Sequence, residues 1–79
     1  ESYIMLGLLY ADMHKPEAEN FYKRAKELDS SKIEVYYNLG MWYQENGAYQ
    51  KAINEYVSIL TEVDSTFYLG YYNIAYINI

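Results

Sequence analysis

Cysteine is absent from this 79-residue chain, which excludes disulfides, thiolate nucleophiles and cysteine-ligated metal sites and leaves the redox compartment open. Histidine occurs once, at His14 beside Lys15 and Pro16, so an imidazole metal site would lack its second ligand. A turn residue is the plainer reading of His14. Proline also occurs once, and with four glycines the breakers are too few for a loop-rich or low-complexity chain. Cations are scarce: six Lys and Arg stand against eleven Asp and Glu, a net charge of -5. That balance argues against a phosphate backbone as partner, which calls for clustered basic residues. The small group Lys23, Arg24 and Lys26 falls at an expected helix end, where cations favour the dipole, and reads as a solvated terminus. No basic start followed by an apolar stretch and a cleavage site opens the sequence. The longest uncharged stretch, Ser65 to Ile79, contains two asparagines and is shorter than the roughly 20 apolar residues a spanning helix needs.

What is plentiful is apolar and aromatic: 52% hydrophobic residues and twelve tyrosines. This composition is incompatible with disorder, which requires low hydrophobicity and high charge. A chain this short still buries a low fraction of its surface, so its core is small.

The apolar residues repeat. Tyr3, Leu6, Gly7 and Tyr10 recur 33 residues later as Tyr36, Leu39, Gly40 and Tyr43. Spacings of three and four place each set on one stripe of a helix. Ala18 and Tyr22 recur 34 residues later as Ala52 and Tyr56, because Met13 to Pro16 forms a turn one residue shorter than Glu45 to Tyr49. A third partial copy follows Asp64, where Tyr71, Tyr72, Asn73, Ile74 and Ala75 match Tyr36 to Gly40 at an offset of 35. Ser31 and Glu34 make an S-x-x-E capping box, Asn46-Gly47 a tight turn, and Pro16 suits the first turn of a helix. The expected helices are 1–13, 16–28, 32–45, 49–63 and 67–79.

The pattern resembles the tetratricopeptide repeat, whose unit of about 34 residues pairs two helices and carries W-x2-L-G-x2-Y followed by A-x3-F. The middle copy reads Tyr36-x2-Leu39-Gly40-x2-Tyr43, then Ala52-x3-Tyr56; the first reads Tyr3-x2-Leu6-Gly7-x2-Tyr10, then Ala18-x3-Tyr22. The proline that commonly ends the family repeat is replaced by Ser30 in copy one and by Asp64-Ser65 in copy two. An extra residue there shifts the frame and predicts a looser link to the third copy. In that copy Ala75 replaces the glycine and Asn78 the tyrosine. The resemblance implies an all-α fold, a right-handed α-solenoid of antiparallel helix pairs with about two and a half repeats in five helices. It forms one domain over 1–79, with repeats 1–31 and 32–66 and a partial repeat 67–79. It also implies a piece of a longer solenoid, since the chain stops before the partial repeat's second helix.

Glycine within a helix costs roughly 1 kcal/mol against alanine, so two in register suggest a packing reason. The expectation is that Gly7 and Gly40 face Ala18 and Ala52, small against small, with Tyr10 and Tyr43 filling space beside the next helix. In the family, first helices line the concave face and hold a protein or peptide. Off the packing stripe, the candidate contacts are Ile4, Leu8, Ala11, Asp12, Tyr37, Asn38, Met41, Gln44, Glu45, Tyr72, Asn73 and Tyr76. A row of Tyr, Met and Asn suits a peptide or a helix; packing among themselves is the alternative. The family members that clamp acidic chaperone tails use two Asn and several Lys or Arg. Here Asn38 alone matches, and Ile4, Leu69 and Asn73 stand where the cations belong, which argues against that ligand.

From Phe67 to Ile79 the last segment is apolar on nearly every face and predicts burial by something outside the pair. Self-association through 67–79, with Ile74 and Ile77 as contacts, is therefore the alternative to an external partner. Glu17 and Glu19, two apart on a helix, point to different faces and suit its N-terminus better than catalysis. No phosphate loop, nucleophile elbow or zinc-helix motif occurs. The sequence therefore predicts a binding module with no catalytic residues, no cofactor, no metal and no nucleic-acid partner.

Overall fold

The computed structural model describes residues 2–29 and 31–77. Among these the chain is all helical, with α1 Tyr3–Asp12, α2 Glu17–Leu28, α3 Ile33–Glu45, α4 Tyr49–Ser58 and α5 Tyr68–Ile77; α4 runs on through a wider π-helical turn, Ile59–Val63. Ser30, Asn78 and the outermost residues of the first and last expected helices lie outside the described residues.

Each helix packs on the one before it. Early residues of one meet late residues of the next: Arg24 lies over the Tyr3 ring, Tyr10 stacks on Phe21 with centroids 5.0 Å apart, and Lys51 lies over Tyr43. The pairs α1/α2 and α3/α4 are thus antiparallel hairpins. The core runs through both hairpins as Ala18, Tyr22, Tyr36, Leu39, Trp42, Tyr43, Ala52, Tyr56 and Ile59.

The two repeated glycines meet rings and not the alanines. A Cβ placed on Gly7 would stand 2.5 Å from the Tyr22 ring, and one on Gly40 would stand 2.7 Å from that of Tyr56. Small faces large here, because a flat ring can lie directly on a helix backbone only where no side chain intervenes. Tyr22 and Tyr56 are essentially fully buried as a result.

Both hairpin turns end their first helix in the same way. The N–H of Lys15 reaches the Tyr10 carbonyl and that of His14 the Ala11 carbonyl; Ala48 to Tyr43 and Gly47 to Gln44 repeat the set. This is a Schellman closure, with His14 (φ 58°) and Gly47 (φ 79°) at its left-handed position. His14 is thus held there against its own Cβ.

The two copies differ in length at two points, and a helical turn absorbs each difference. The N–H of Ala18 bonds three residues back to Lys15, whereas that of Ala52 bonds four back to Ala48. At the other end the N–H of Asp29 bonds four residues back to Ala25, whereas that of Asp64 bonds five back to Ile59 at 2.8 Å. The residue that shifts the frame is therefore taken up inside the π turn. α5 still packs on α4, with Gly70 against Leu60.

The expected capping box does not form. α3 is capped at Lys32 without a side-chain bond. Ser31 instead turns back, its N–H and hydroxyl both donating to Asp29 Oδ1 at 3.1 and 2.6 Å. Thr66 does the same to Asp64 at 2.9 and 2.6 Å. Both junctions between hairpins are thus closed by an Asx turn, which competes for the hydroxyl that would have capped the helix. These contacts hold the Asp29 and Asp64 carboxyls below the usual carboxylate range, the side-chain hydrogen bond contributing most.

The basic group on α2 is not simply solvated. Lys26 crosses to Glu55 of α4 at 2.9 Å and lies over the Tyr36 ring, and Lys23 pairs with Glu19 at 2.9 Å. Tyr43 likewise reaches back across the repeat boundary, donating to Glu19 Oε2 at 2.9 Å. Burial pushes the Glu19 carboxyl up, but bonds from Lys23 and Tyr43 and the nearby lysine charges outweigh it and leave the group below 4.5.

Gly40→Ala should lower stability by about 1–3 kcal/mol, since the overpacking against a buried ring exceeds the gain in helix propensity. Gly70→Ala should be close to neutral. Its Cβ would stand no closer than 3.3 Å to the Leu60 side chain, which needs to give by only a few tenths of an ångström. Urea unfolding of the two variants checks the order; equal midpoints would mean that the ring contact is not a constraint.

Candidate partner-binding cleft

A cleft of about 450 Å³ opens between α1 and α3. Seven of the twelve expected contact residues line it: Leu8, Ala11, Asp12, Tyr37, Asn38, Met41 and Glu45. They come together because three residues of α1 and four of α3, all off the packing stripe, face the same side. Leu8 is 45% exposed, and Tyr37, Asn38 and Met41 are half-buried. The Asn38 amide makes no side-chain hydrogen bond among the described residues.

The other five lie elsewhere. Ile4 belongs to a separate hollow with Tyr3, Leu28 and Lys32 at the far end of the first hairpin. Gln44 and Tyr76 line a third hollow with Tyr49 and Ile77, and Gln44 accepts the Tyr56 hydroxyl at 3.0 Å. Tyr72 projects outward from α5. Asn73 is a correction: it is buried, and its amide donates to the Leu69 carbonyl at 2.7 Å and to the Tyr37 hydroxyl at 3.4 Å. Both bonds use the amide nitrogen, so its donors are committed to Leu69 and Tyr37 rather than to the cleft.

Three lining residues were not anticipated, namely His14, Tyr22 and Trp42. Tyr22 and Trp42 sit on the packing stripe, and their edges reach the cleft from below. The left-handed conformation of His14, which turns it to the rim, has no sequence signal beyond its alignment with Gly47.

Nor is α5 covered on all sides. Gly70 and Asn73 are buried and Ile74 and Ile77 pack on the core, while Tyr68, Tyr71, Tyr72 and Tyr76 stand outward, each more than half exposed. Ile74 and Ile77 are partly buried against this chain's own core, and Ile77 also lines the third hollow.

Among the described residues no group of three or more His, Asp or Glu could hold a metal ion, and no helix is long and apolar enough to cross a membrane. No family model, no curated protein and no solved structure matches the chain.

Three buried tyrosines, of which Tyr22 reaches the cleft, have hydroxyls that resist ionisation. Burial raises the Tyr22 and Tyr56 hydroxyls above the ordinary value of 10.0, with the Glu45 carboxylate adding to both and Tyr37 to Tyr56. Burial, then the bond to Glu19, does the same for Tyr43. A group whose folded-state value is raised lends stability that is complete below its unfolded value and is lost as pH rises through the folded one. Stability should therefore hold up to about pH 9 and fall above pH 10 as the unfolded chain ionises these three tyrosines first. Urea midpoints followed by circular dichroism should be level from about pH 7 to 9 and drop above about pH 10. Midpoints unchanged to about pH 11 would contradict this.

Proposed function

We propose that this chain is a tetratricopeptide-type module, a right-handed α-solenoid segment of about two and a half repeats. It holds a peptide or helix of a protein partner between its first helices and performs no catalysis. The observation that carries the reading is the α1/α3 cleft. It is walled by Leu8, Tyr37 and Met41, which are accessible though apolar, and by the unspent amide of Asn38. Such a mixture of aromatic area and few polar groups is what peptide grooves offer. The recurrence of one glycine–ring contact and one turn closure in two hairpins supports the repeat reading.

Peptides selected from a random displayed library on the whole chain test it. Tyr37→Ala and Met41→Ala should each weaken the selected peptides by about tenfold or more, as hot-spot truncations do. Val57→Ala, exposed on α4, should not. Selected peptides indifferent to Tyr37 and Met41 would remove the cleft as the binding site.

A second reading, homo-oligomerisation through the last helix, is favoured by the tyrosines that α5 leaves outward. In it the contacts are the outward Tyr72 and Tyr76 together with the part-exposed edges of Ile74 and Ile77. Light scattering should then show an oligomer that Tyr72→Ser with Tyr76→Ser converts to a monomer of unchanged helicity. A monomer at all concentrations would dismiss it.

A further inference from the structure

The cleft carries a charge that the chain itself does not answer. Asp12 and Glu45 are the last residues of α1 and α3, 33 positions apart, and both line the cleft. The C-terminal end of a helix is its negative pole, where a carboxylate is unfavourable and a cation favourable. Neither helix has a basic residue in its last turn. All six Lys and Arg lie outside α1, α3 and α5. Among the described residues, the ion pairs join Lys23 to Glu19 and Lys26 to Glu55, away from the cleft. The same unfavourable placement thus occurs twice in register, each carboxylate opening on one apolar hollow.

We propose that the cleft takes a cationic, apolar peptide segment. A Lys or Arg side chain sits between Asp12 and Glu45 at the negative ends of two helices, and the aliphatic or aromatic residue beside it rests on Leu8, Tyr37 and Met41. This rests on the peptide-binding reading of the cleft and names its partner's chemistry. An acidic segment would meet two carboxylates and no Lys or Arg, His14 being the one basic side chain that lines the cleft. A second copy of this chain fits poorly too, because its net charge is -5 and its own first helices bear no base. A guanidinium or ammonium would instead form charge-assisted hydrogen bonds with both carboxylates and relieve both helix ends at once.

The probe is the set of peptides selected from a random displayed library on the full chain, measured by fluorescence anisotropy. Selected peptides should place a Lys or Arg within four residues of a large apolar side chain. They should bind Asp12→Asn with Glu45→Gln about tenfold more weakly, and less tightly at high salt. That variant should be at least as heat-stable as the parent, so weaker binding cannot be blamed on unfolding. Glu27→Gln with Glu62→Gln changes net charge equally on exposed positions and should leave affinity unchanged. Three results would overturn the proposal: neutral or acidic selected peptides, binding indifferent to Asp12 and Glu45, or equal weakening by both double variants. If peptides depend on Tyr37 and Met41 but not on the two carboxylates, this inference alone fails. If no peptide is selected, or if Tyr37 and Met41 are also without effect, the cleft itself fails as a binding site.

Discussion

The contact on which the fold depends is a tyrosine ring laid on a glycine of the facing helix. Because Tyr22 lies on Gly7 and Tyr56 on Gly40, the two helices of each hairpin approach at one fixed point, and other side chains take their places from it. Ala18 and Ala52, four residues before those rings, are fully buried in the same core. The cleft opens between α1 and α3, which belong to different hairpins.

Helix positions were legible because the 3.6-residue stripe is strong and the chain repeats it; Tyr3, Leu6, Gly7 and Tyr10 needed only Tyr36, Leu39, Gly40 and Tyr43 for comparison. What sits opposite a residue was not legible. Periodicity tells which face is buried but not whether Gly40 meets Ala52 or the ring four residues further on. The capping box failed for a related reason: Ser31 had two acceptor and donor options within reach, and the local Asx turn at Asp29 took it. Asn73 looked like a groove residue by alignment with Asn38. The two differ because α5 lies on Tyr37 and turns that amide inward, which no spacing rule anticipates.

Differences in repeat length offer a second lesson. One extra residue between Ile59 and Asp64, compared with Ala25 to Asp29, predicts a looser link to the third copy. The backbone takes it up by closing a five-residue bond in place of a four-residue one. Beyond this short π turn the Leu60–Gly70 and Tyr37–Phe67 contacts are made.

The ties across the hairpin boundary are unequal along the chain. Between the first and second hairpins run Tyr43 to Glu19 and Lys26 to Glu55. α5 is held by Gly70 against Leu60, by Ile74 and Ile77 on the core and by the long bond from Asn73 to Tyr37, with no ion pair among the described residues. The first two hairpins are thus joined by charged and polar bonds, and α5 mainly by apolar packing. Because Tyr37 belongs both to the cleft wall and to the seat of α5, whatever docks on or detaches from the last helix is thermodynamically linked to whatever enters the cleft.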